Sequence, residues 1–263
     1  MKFRKGTTTI CIVNYKTEEL TRLCLRSIRK FTEAPYRVVV VDNDSKDSSL
    51  EYLRSVDWIT LIERPDEVTK SGSWAHGTAL DKGLEVCDSE FFIAMHSDTF
   101  VHKQGWLKEL LAYMNPDFAC AGGGKLDLKP AWQVFLKRIT DVKAFVRKKK
   151  SKKRDDFYIR TICALYRTEV LKKENLTFSM NVLDGVTCGK QLYYELIDRG
   201  YKTNIISEWT MAEWIYHLAH ATMVLNPEFT VRSRTEKKCK KKIEKILSLP
   251  EVQSVMNDAS LDK

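Results

Sequence analysis

Three side chains at the end of an apolar run give the strongest chemical signal in the chain: His96, Ser97 and Asp98 close the stretch Phe-Phe-Ile-Ala-Met over 91–95. So short and unbroken an apolar run, bounded by polar residues, predicts a strand buried on both faces of a parallel sheet. Open α/β sheets bind ligands beyond the carboxyl ends of such strands, where an Asp held by a rigid strand can fix a divalent cation against a phosphate. The competing reading is that Asp98 or Thr99 caps a helix expected from about Lys103. A second apolar run over 37–41 also ends in a carboxylate, Asp42, within Val-Val-Asp-Asn-Asp-Ser. Asp42 is therefore a ligand contact or a strand-end cap. Asp184 stands four residues ahead of a helix expected from Cys188, too early for a comfortable N-cap, and His217 and His220 share a largely apolar stretch over 214–225.

These groups need elements to hold them. Residues 7–14 are β-branched and apolar and predict a first strand. Leu20, Leu23, Ile28 and Phe31 recur at helical spacing among cations, which predicts an amphipathic helix over 17–31. A strand over 37–41, a short helix over 48–55, a strand over 59–63 and a helix over 74–86 lead back to the strand that carries His96. This alternation, with connections of a few residues, predicts an α/β domain built on a mostly parallel sheet flanked by helices. A helix over 103–114 and a strand over 118–121 follow, then Gly122, Gly123 and Gly124, which serve either a close backbone approach or a flexible loop. A strand over 158–166, a short helix through Val170 and Leu171, a helix over 188–199 stopped by Gly200 and a strand over 201–206 complete the regular pattern. The tail from Thr235 is lysine-rich and helical.

Composition excludes several classes. With 43% hydrophobic and 30% charged residues over 263 positions, the chain can bury a sizeable core. No apolar stretch approaches the roughly 18 residues that a membrane span needs, and Asn14 interrupts the run after the basic start, so a secretory signal is not expected and the expected location is cytoplasmic. The seven cysteines include no CxxC pair, against a disulfide framework or a zinc site; Cys11, Cys120 and Cys163 are expected in the core. The net charge of +9 is uneven: 147–154 carries +7 and 232–245 carries +6, which leaves −4 for the rest. The body is thus mildly acidic and the basicity is local. Few aromatics interleave the basic runs, which argues against specific nucleic-acid binding. Trp132, Phe135, Leu136, Ile139 and Val146 form an apolar stripe before the first basic run. The segment 132–154 is either a solvated loop or a helix in peripheral contact with an anionic membrane.

The order of these features resembles the inverting nucleotide-sugar glycosyltransferases of family 2, with a GT-A (Rossmann-like) fold, over about 7–226. Cys-Ile-Val-Asn14-Tyr15 resembles the family's first strand, whose end lines the nucleotide pocket. Val-Val-Asp42-Asn43-Asp44-Ser45 resembles the second, whose Asp hydrogen-bonds the base. His96-Ser97-Asp98 stands at the DxD metal motif. Leu183-Asp184-Gly185, followed by a helix and Arg199-Gly200-Tyr201-Lys202, resembles the block that supplies the base, and His217 resembles a late histidine that contacts metal or diphosphate. The resemblance implies one domain over 1–226, with a nucleotide-sugar half (1–100), an acceptor half (101–226) carrying a basic insertion (130–156), and a basic helical tail (227–263).

The implied activity is metal-dependent transfer of a hexose or deoxyhexose from a nucleotide sugar to a glycan or lipid-linked hydroxyl with inversion, in polysaccharide biosynthesis. A cation on Asp98, with His96 and His217, would neutralise the leaving diphosphate, and Asp184 would take the acceptor's proton. Asn14, Tyr15, Asp42, Asp44 and Ser97 would meet the nucleotide sugar. Two positions depart from the pattern. His96 replaces the first Asp of DxD, which favours Mn²⁺ over Mg²⁺ if the imidazole ligates, and Leu183 replaces an acidic residue. Three other readings stand beside this one. A nucleotidyltransferase needs a Gly-rich phosphate loop that Asn14-Tyr15-Lys16-Thr17 does not offer. The others are a catalytically inactive domain of the same fold and a non-enzymatic binder of anionic membranes or polyanions.

Overall fold

The computed structural model describes residues 3–65, 71–124, 126 and 157–263. The first half runs β1 (Arg4–Asn14), α1 (Glu18–Phe31), β2 (Tyr36–Asp42), α2 (Ser48–Arg54), β3 (Ile59–Glu63), α3 (Gly72–Glu85) and β4 (Ser89–His96). The rest runs β5 (Thr99–Val101), α4 (Trp106–Leu111), β6 (Phe118–Gly122), β7 (Cys163–Arg167), α5 (Thr168–Lys173), α6 (Lys190–Asp198), β8 (Lys202–Ile205), α7 (Glu208–Ala212), β9 (Ile215–His217), α8 (Ala221–Leu225), α9 (Ser233–Leu247) and α10 (Pro250–Met256). Single 3₁₀ turns cover Val182–Asp184 and Ala259–Asp262.

A seven-stranded sheet of order β3-β2-β1-β4-β7-β6-β8 forms the centre. It is parallel except at β7, which pairs antiparallel with both β4 and β6. The expected mostly parallel α/β sheet in a single domain is what the chain adopts. The two faces of β4 explain why its apolar run is unbroken. Ile93 and Met95 pack with α1 and α4, while Phe92 and Ala94 pack with α3 and α6. After β1 the chain moves outward through β2 and β3, then returns to place β4 on the other side of β1. Such a reversal opens a crevice at the strand C-termini. Register aligns its rims, with Asn14 opposite Asp42 and Val13 opposite His96.

Several local expectations change. Neither Asp98 nor Thr99 caps a helix: β5 follows at once, and α4 starts only at Trp106 behind Gly105, whose φ of +74° suits an achiral residue at the N-cap. The strand expected over 158–166 begins at Cys163. The glycine run serves a close approach by the protein's own chain. A Cβ on Gly122 would lie 2.7 Å from Ile159 Cγ2, and one on Gly124 would lie 2.9 Å from the Phe157 ring. All seven cysteines are free and buried. The basic insertion, including 132–154, lies outside the described residues.

The lysine-rich tail has an inner face. Cys239, Ile243 and Ile246 of α9 and Val252 and Val255 of α10 close a third core with Leu20, Leu23 and Phe100. The chain end is pinned by polar contacts: Asp262 accepts from Arg26 at 2.9 and 2.5 Å and from the Tyr52 hydroxyl at 2.9 Å, and the Trp58 indole donates to Leu261 O at 2.9 Å.

Candidate active site

A cavity of about 790 Å³ opens beyond the carboxyl ends of β1 and β4, where the strand order reverses. Two local pairings bring its chemistry together. The end of β4 delivers His96 and the turn after it delivers Asp98. The short ladder between β5 and β9 sets Thr99 opposite His217, and Leu218 N–H donates to Asp98 O at 2.9 Å. A histidine 119 positions downstream of Asp98 thus lands beside it because two three-residue strands pair.

The ligand atoms of His96, Asp98 and His217 all lie within 4.8 Å of one another. Asp98 Oδ1 stands 3.3 Å from His217 Nε2 and 3.7 Å from His96 Nδ1. Neither approach is aligned as a hydrogen bond, so this buried oxygen has no partner among the described residues. The outer nitrogens are engaged: His217 Nδ1 lies 3.3 Å from Leu126 O and His96 Nε2 lies 3.2 Å from Thr161 Oγ1. A carbonyl only accepts, so Nδ1 of His217 carries a proton, which leaves Nε2 as the ring nitrogen on the Asp98 side. Held outer nitrogens with inner nitrogens turned toward one carboxylate are the arrangement of metal-ligating histidines.

Electrostatics agree with this geometry. Burial alone would raise the Asp98 carboxyl, but the adjoining His217, with His96 and His76 behind it, outweighs burial and holds Asp98 below its usual range. Burial, with His76 adding to it, pushes His96 down to about 3, so the ring is neutral near pH 7 and its lone pair is available. Two donors about 2.1 Å from one ion stand roughly 3.0–3.4 Å apart. The separations of 3.3 and 3.7 Å are close to that spacing, and the orphaned Asp98 oxygen faces the centre. These residues fit a divalent cation.

The other candidates divide. Tyr15 and Ser97 line the cavity; Tyr15 donates its hydroxyl to Glu228 and meets Phe229 edge-on at 6.2 Å. Asn14 and Asp42 lie beneath it, outside the lining. Asn14 Nδ2 donates to Asp42 Oδ1 at 2.6 Å and reaches Ser45 and Ser49, while its Oδ1 accepts from Thr21 at 2.7 Å. Asp42 also accepts from the Ser45 hydroxyl at 2.6 Å and the Ser45 amide at 3.0 Å and is only 1% exposed. Asp44, at φ +57°, pairs with Lys46 at 2.9 Å and does not line the cavity. Asp184 is exposed on its 3₁₀ turn. The flanking residues Leu183 and Gly185 line a smaller cavity that shares Ser71, Ser73 and Thr187 with the main one. His220 lines the main cavity from an exposed position.

Three lining residues, His76, Arg160 and Glu228, escape a reading of the sequence, and a fourth, Asn43, enters it only within the Asp42 motif. His76 of α3 sets its ring edge-on to His96 at 4.7 Å, and its shielded Nε2 has no partner among the described residues. Burial pushes this imidazole down to about 4. Asn43 accepts from Arg64 at 2.8 Å and donates to Ala75 O at 3.2 Å. Arg160 and Glu228 bring the remaining charges, and Glu228 is paired with Lys16. His76 and Arg160 sit in stretches without any motif, so no pattern marks them; Asn43 is legible only as a neighbour of Asp42.

A family model described as "Glycosyl transferase family 2" matches residues 9–174. No curated protein matches the chain. Among solved structures, the chain is similar to the mannosyltransferase PcManGT from Pyrobaculum calidifontis in complex with GDP-Man and Mn²⁺, at TM-score 0.55 and 15% identity, covering 96% of this chain and 74% of that one. It is also similar to S. aureus TarS 1-349 in complex with UDP-GlcNAc, at TM-score 0.53 and 16% identity, covering 97% and 70%. At such identities the likeness is one of fold. The family match spans well over half of the chain and includes β4 with the His96 and Asp98 rim, and the chain belongs to glycosyl transferase family 2.

Proposed function

We propose that the chain transfers a sugar, a hexose or deoxyhexose, from a nucleotide-sugar donor to a hydroxyl of a glycan or lipid-linked acceptor with inversion. The observation that carries this reading is the cluster of His96, Asp98 and His217, with its orphaned carboxylate oxygen, at the crevice where the sheet reverses. A divalent cation held there would supply Lewis-acid neutralisation of a departing diphosphate. Two imidazoles in the donor set favour Mn²⁺ over the oxygen-preferring Mg²⁺. Tyr15 and Ser97 line the donor side, with Asn43 beside them. Asn14 and Asp42 act from below by fixing the loop 43–49, since their hydrogen bonds run to Ser45 and Ser49. Asp184 takes the acceptor's proton from the smaller cavity's edge. The donors in the PcManGT and TarS complexes make GDP and UDP sugars the first to try.

The test is a thermal-shift panel of UDP-, GDP-, dTDP- and CMP-sugars with and without Mn²⁺, followed by nucleotide release in the presence of glycan acceptors. Ligand at 100 times its dissociation constant adds about 2.7 kcal/mol of stability, so a true donor is visible. A shift that needs Mn²⁺ is expected for one nucleotide class; no shift with any donor contradicts the reading. Asp184→Asn should keep donor binding and lose about 10²-fold or more in transfer. Full activity in that variant would exclude Asp184 as the base. Contact of 132–154 with membranes should appear as co-sedimentation with anionic but not neutral vesicles, lost at high salt.

A further inference from the structure

The main cavity contains a cation that the reaction as outlined does not use. Arg160 lies on the wall formed by 158–162, next to Thr161, whose hydroxyl holds His96. Its backbone N–H donates to Gly123 O at 3.0 Å, which fixes where the side chain starts. The guanidinium stacks over the Tyr158 ring at 4.9 Å, and Tyr158 is itself buried, with Lys190 Nζ 5.8 Å from the same ring. Beyond that ring, the Arg160 side chain makes no hydrogen bond or ion pair among the described residues. Of the carboxylates among the described lining residues, Asp98 belongs to the cluster with His96 and His217, and Glu228 is paired with Lys16 and Tyr15. A planar fork of donors, stiffened by an aromatic face and without a paired carboxylate among the described residues, suits an oxyanion.

We propose that Arg160 anchors an anionic group of the acceptor, a phosphate or a carboxylate. This rests on the transferase reading above, in which the donor diphosphate is already served by the cluster around Asp98. The wall that carries Arg160 also contributes Tyr158 and Thr161 and runs on to Thr187 and Cys188. Thr187 in turn lines the smaller cavity beside Asp184. An anion held by Arg160 therefore lies on the side from which an acceptor hydroxyl reaches Asp184. An uncharged acceptor would leave the guanidinium desolvated with nothing to pair, so the site selects acceptors that carry a negative group.

The probe is inorganic phosphate, titrated by calorimetry into wild type, Arg160→Gln and Arg160→Lys. Each is measured alone and again with saturating Mn²⁺ and whichever of UDP, GDP, dTDP and CMP binds. Because the side chain is half-buried and makes no hydrogen bond or ion pair among the described residues, both variants should fold; near-wild-type circular dichroism and melting temperature check this. The expected result is phosphate binding to wild type that persists under saturating nucleotide. It should be weakened about tenfold or more in Arg160→Gln and less in Arg160→Lys, with nucleotide affinity unchanged within about threefold. Loss of nucleotide affinity in Arg160→Gln, with no phosphate binding beside bound nucleotide, would assign the guanidinium to the donor diphosphate and overturn the proposal. Equal phosphate binding by wild type and Arg160→Gln would overturn it as well. Arg160-dependent phosphate binding in a protein that takes no nucleotide would keep the oxyanion anchor while removing the transferase reading.

Discussion

Two neighbouring rims of the sheet treat their polar atoms in opposite ways. At the ends of β1 and β2, Asn14 and Asp42 face each other in register, and their side chains are consumed by Ser45, Ser49, Thr21 and one another. Beyond β4, Asp98 Oδ1 and the nearby His76 Nε2 are buried without a hydrogen-bond partner among the described residues. An unsatisfied buried polar group costs about 1–3 kcal/mol. A fold keeps two such groups on one cavity wall when a ligand satisfies them, whereas a saturated rim holds its own loop. Both rims are an apolar run ending in a polar residue. What separates structure from chemistry here is the hydrogen-bond account of each side chain.

The largest expected effect lies at the open rim. Asp98→Ala should reduce transfer by about 10³-fold or more, because it removes the one carboxylate of the cluster. Metal-free stability should stay within about 1 kcal/mol of wild type, since Oδ1 supports no hydrogen bond among the described residues. Urea denaturation and nucleotide release measure the two sides; a large stability loss with modest activity loss would erase the contrast between the rims. Asp42→Ala should do the reverse in the first measurement. It strands the Asn14 amide and the Ser45 amide and hydroxyl, at a cost of about 3 kcal/mol, and any loss of donor affinity should follow from loosening of the loop.

A second saturated carboxylate sharpens the comparison through pH. Burial tends to raise Asp262, but hydrogen bonds from Arg26 and Tyr52 outweigh it and leave its pKa lowered. A depressed folded-state pKa contributes stability that is full above the unfolded value of about 3.9 and is lost as pH falls through the folded value. Asp262→Asn should therefore cost about 2 kcal/mol near pH 7, and its gap to wild type should close below about pH 4. A gap independent of pH would show that the anchor of the chain end is steric. The smallest expected effect is at His76. His76→Leu replaces an imidazole whose Nε2 has no hydrogen-bond partner among the described residues with an apolar group and should change metal-free stability by less than about 1 kcal/mol, read from the denaturation midpoint.

The sheet was legible in the sequence because its strands are buried on both faces and leave continuous apolar runs; the run through Phe92 and Met95 is the clearest. Helix α1 was legible through the spacing of Leu20, Leu23 and Ile28. Among chemical residues, those at the end of β4 were visible because strand ends are where such sheets bind ligands. The antiparallel insertion of β7 left no trace, since its run Cys163 to Tyr166 reads alike in either direction. Nor could the sequence show that Asn14 and Asp42 are used up internally, because their partners Ser45 and Ser49 are ordinary loop residues whose hydroxyls point inward only once the loop has folded. His76 and Arg160 were invisible for a similar reason: one projects from a helix and one from an irregular wall, and tertiary packing alone brings them to the cavity.

The most direct test is calorimetric titration of the nucleoside diphosphate selected by the donor panel into wild type, Asp98→Ala and Asp42→Asn, each with Mn²⁺ and with excess EDTA. Asparagine keeps an acceptor oxygen toward Asn14 and Ser45, so that variant tests the saturated rim without collapsing it. If the open rim holds the cation that receives the diphosphate, wild type and Asp42→Asn bind the nucleotide with Mn²⁺ and lose about tenfold or more in affinity with EDTA, while Asp98→Ala is weak in both. Equal affinity in wild type with and without Mn²⁺, left unchanged by Asp98→Ala, would contradict the assignment of His96, Asp98 and His217 as the metal-binding centre.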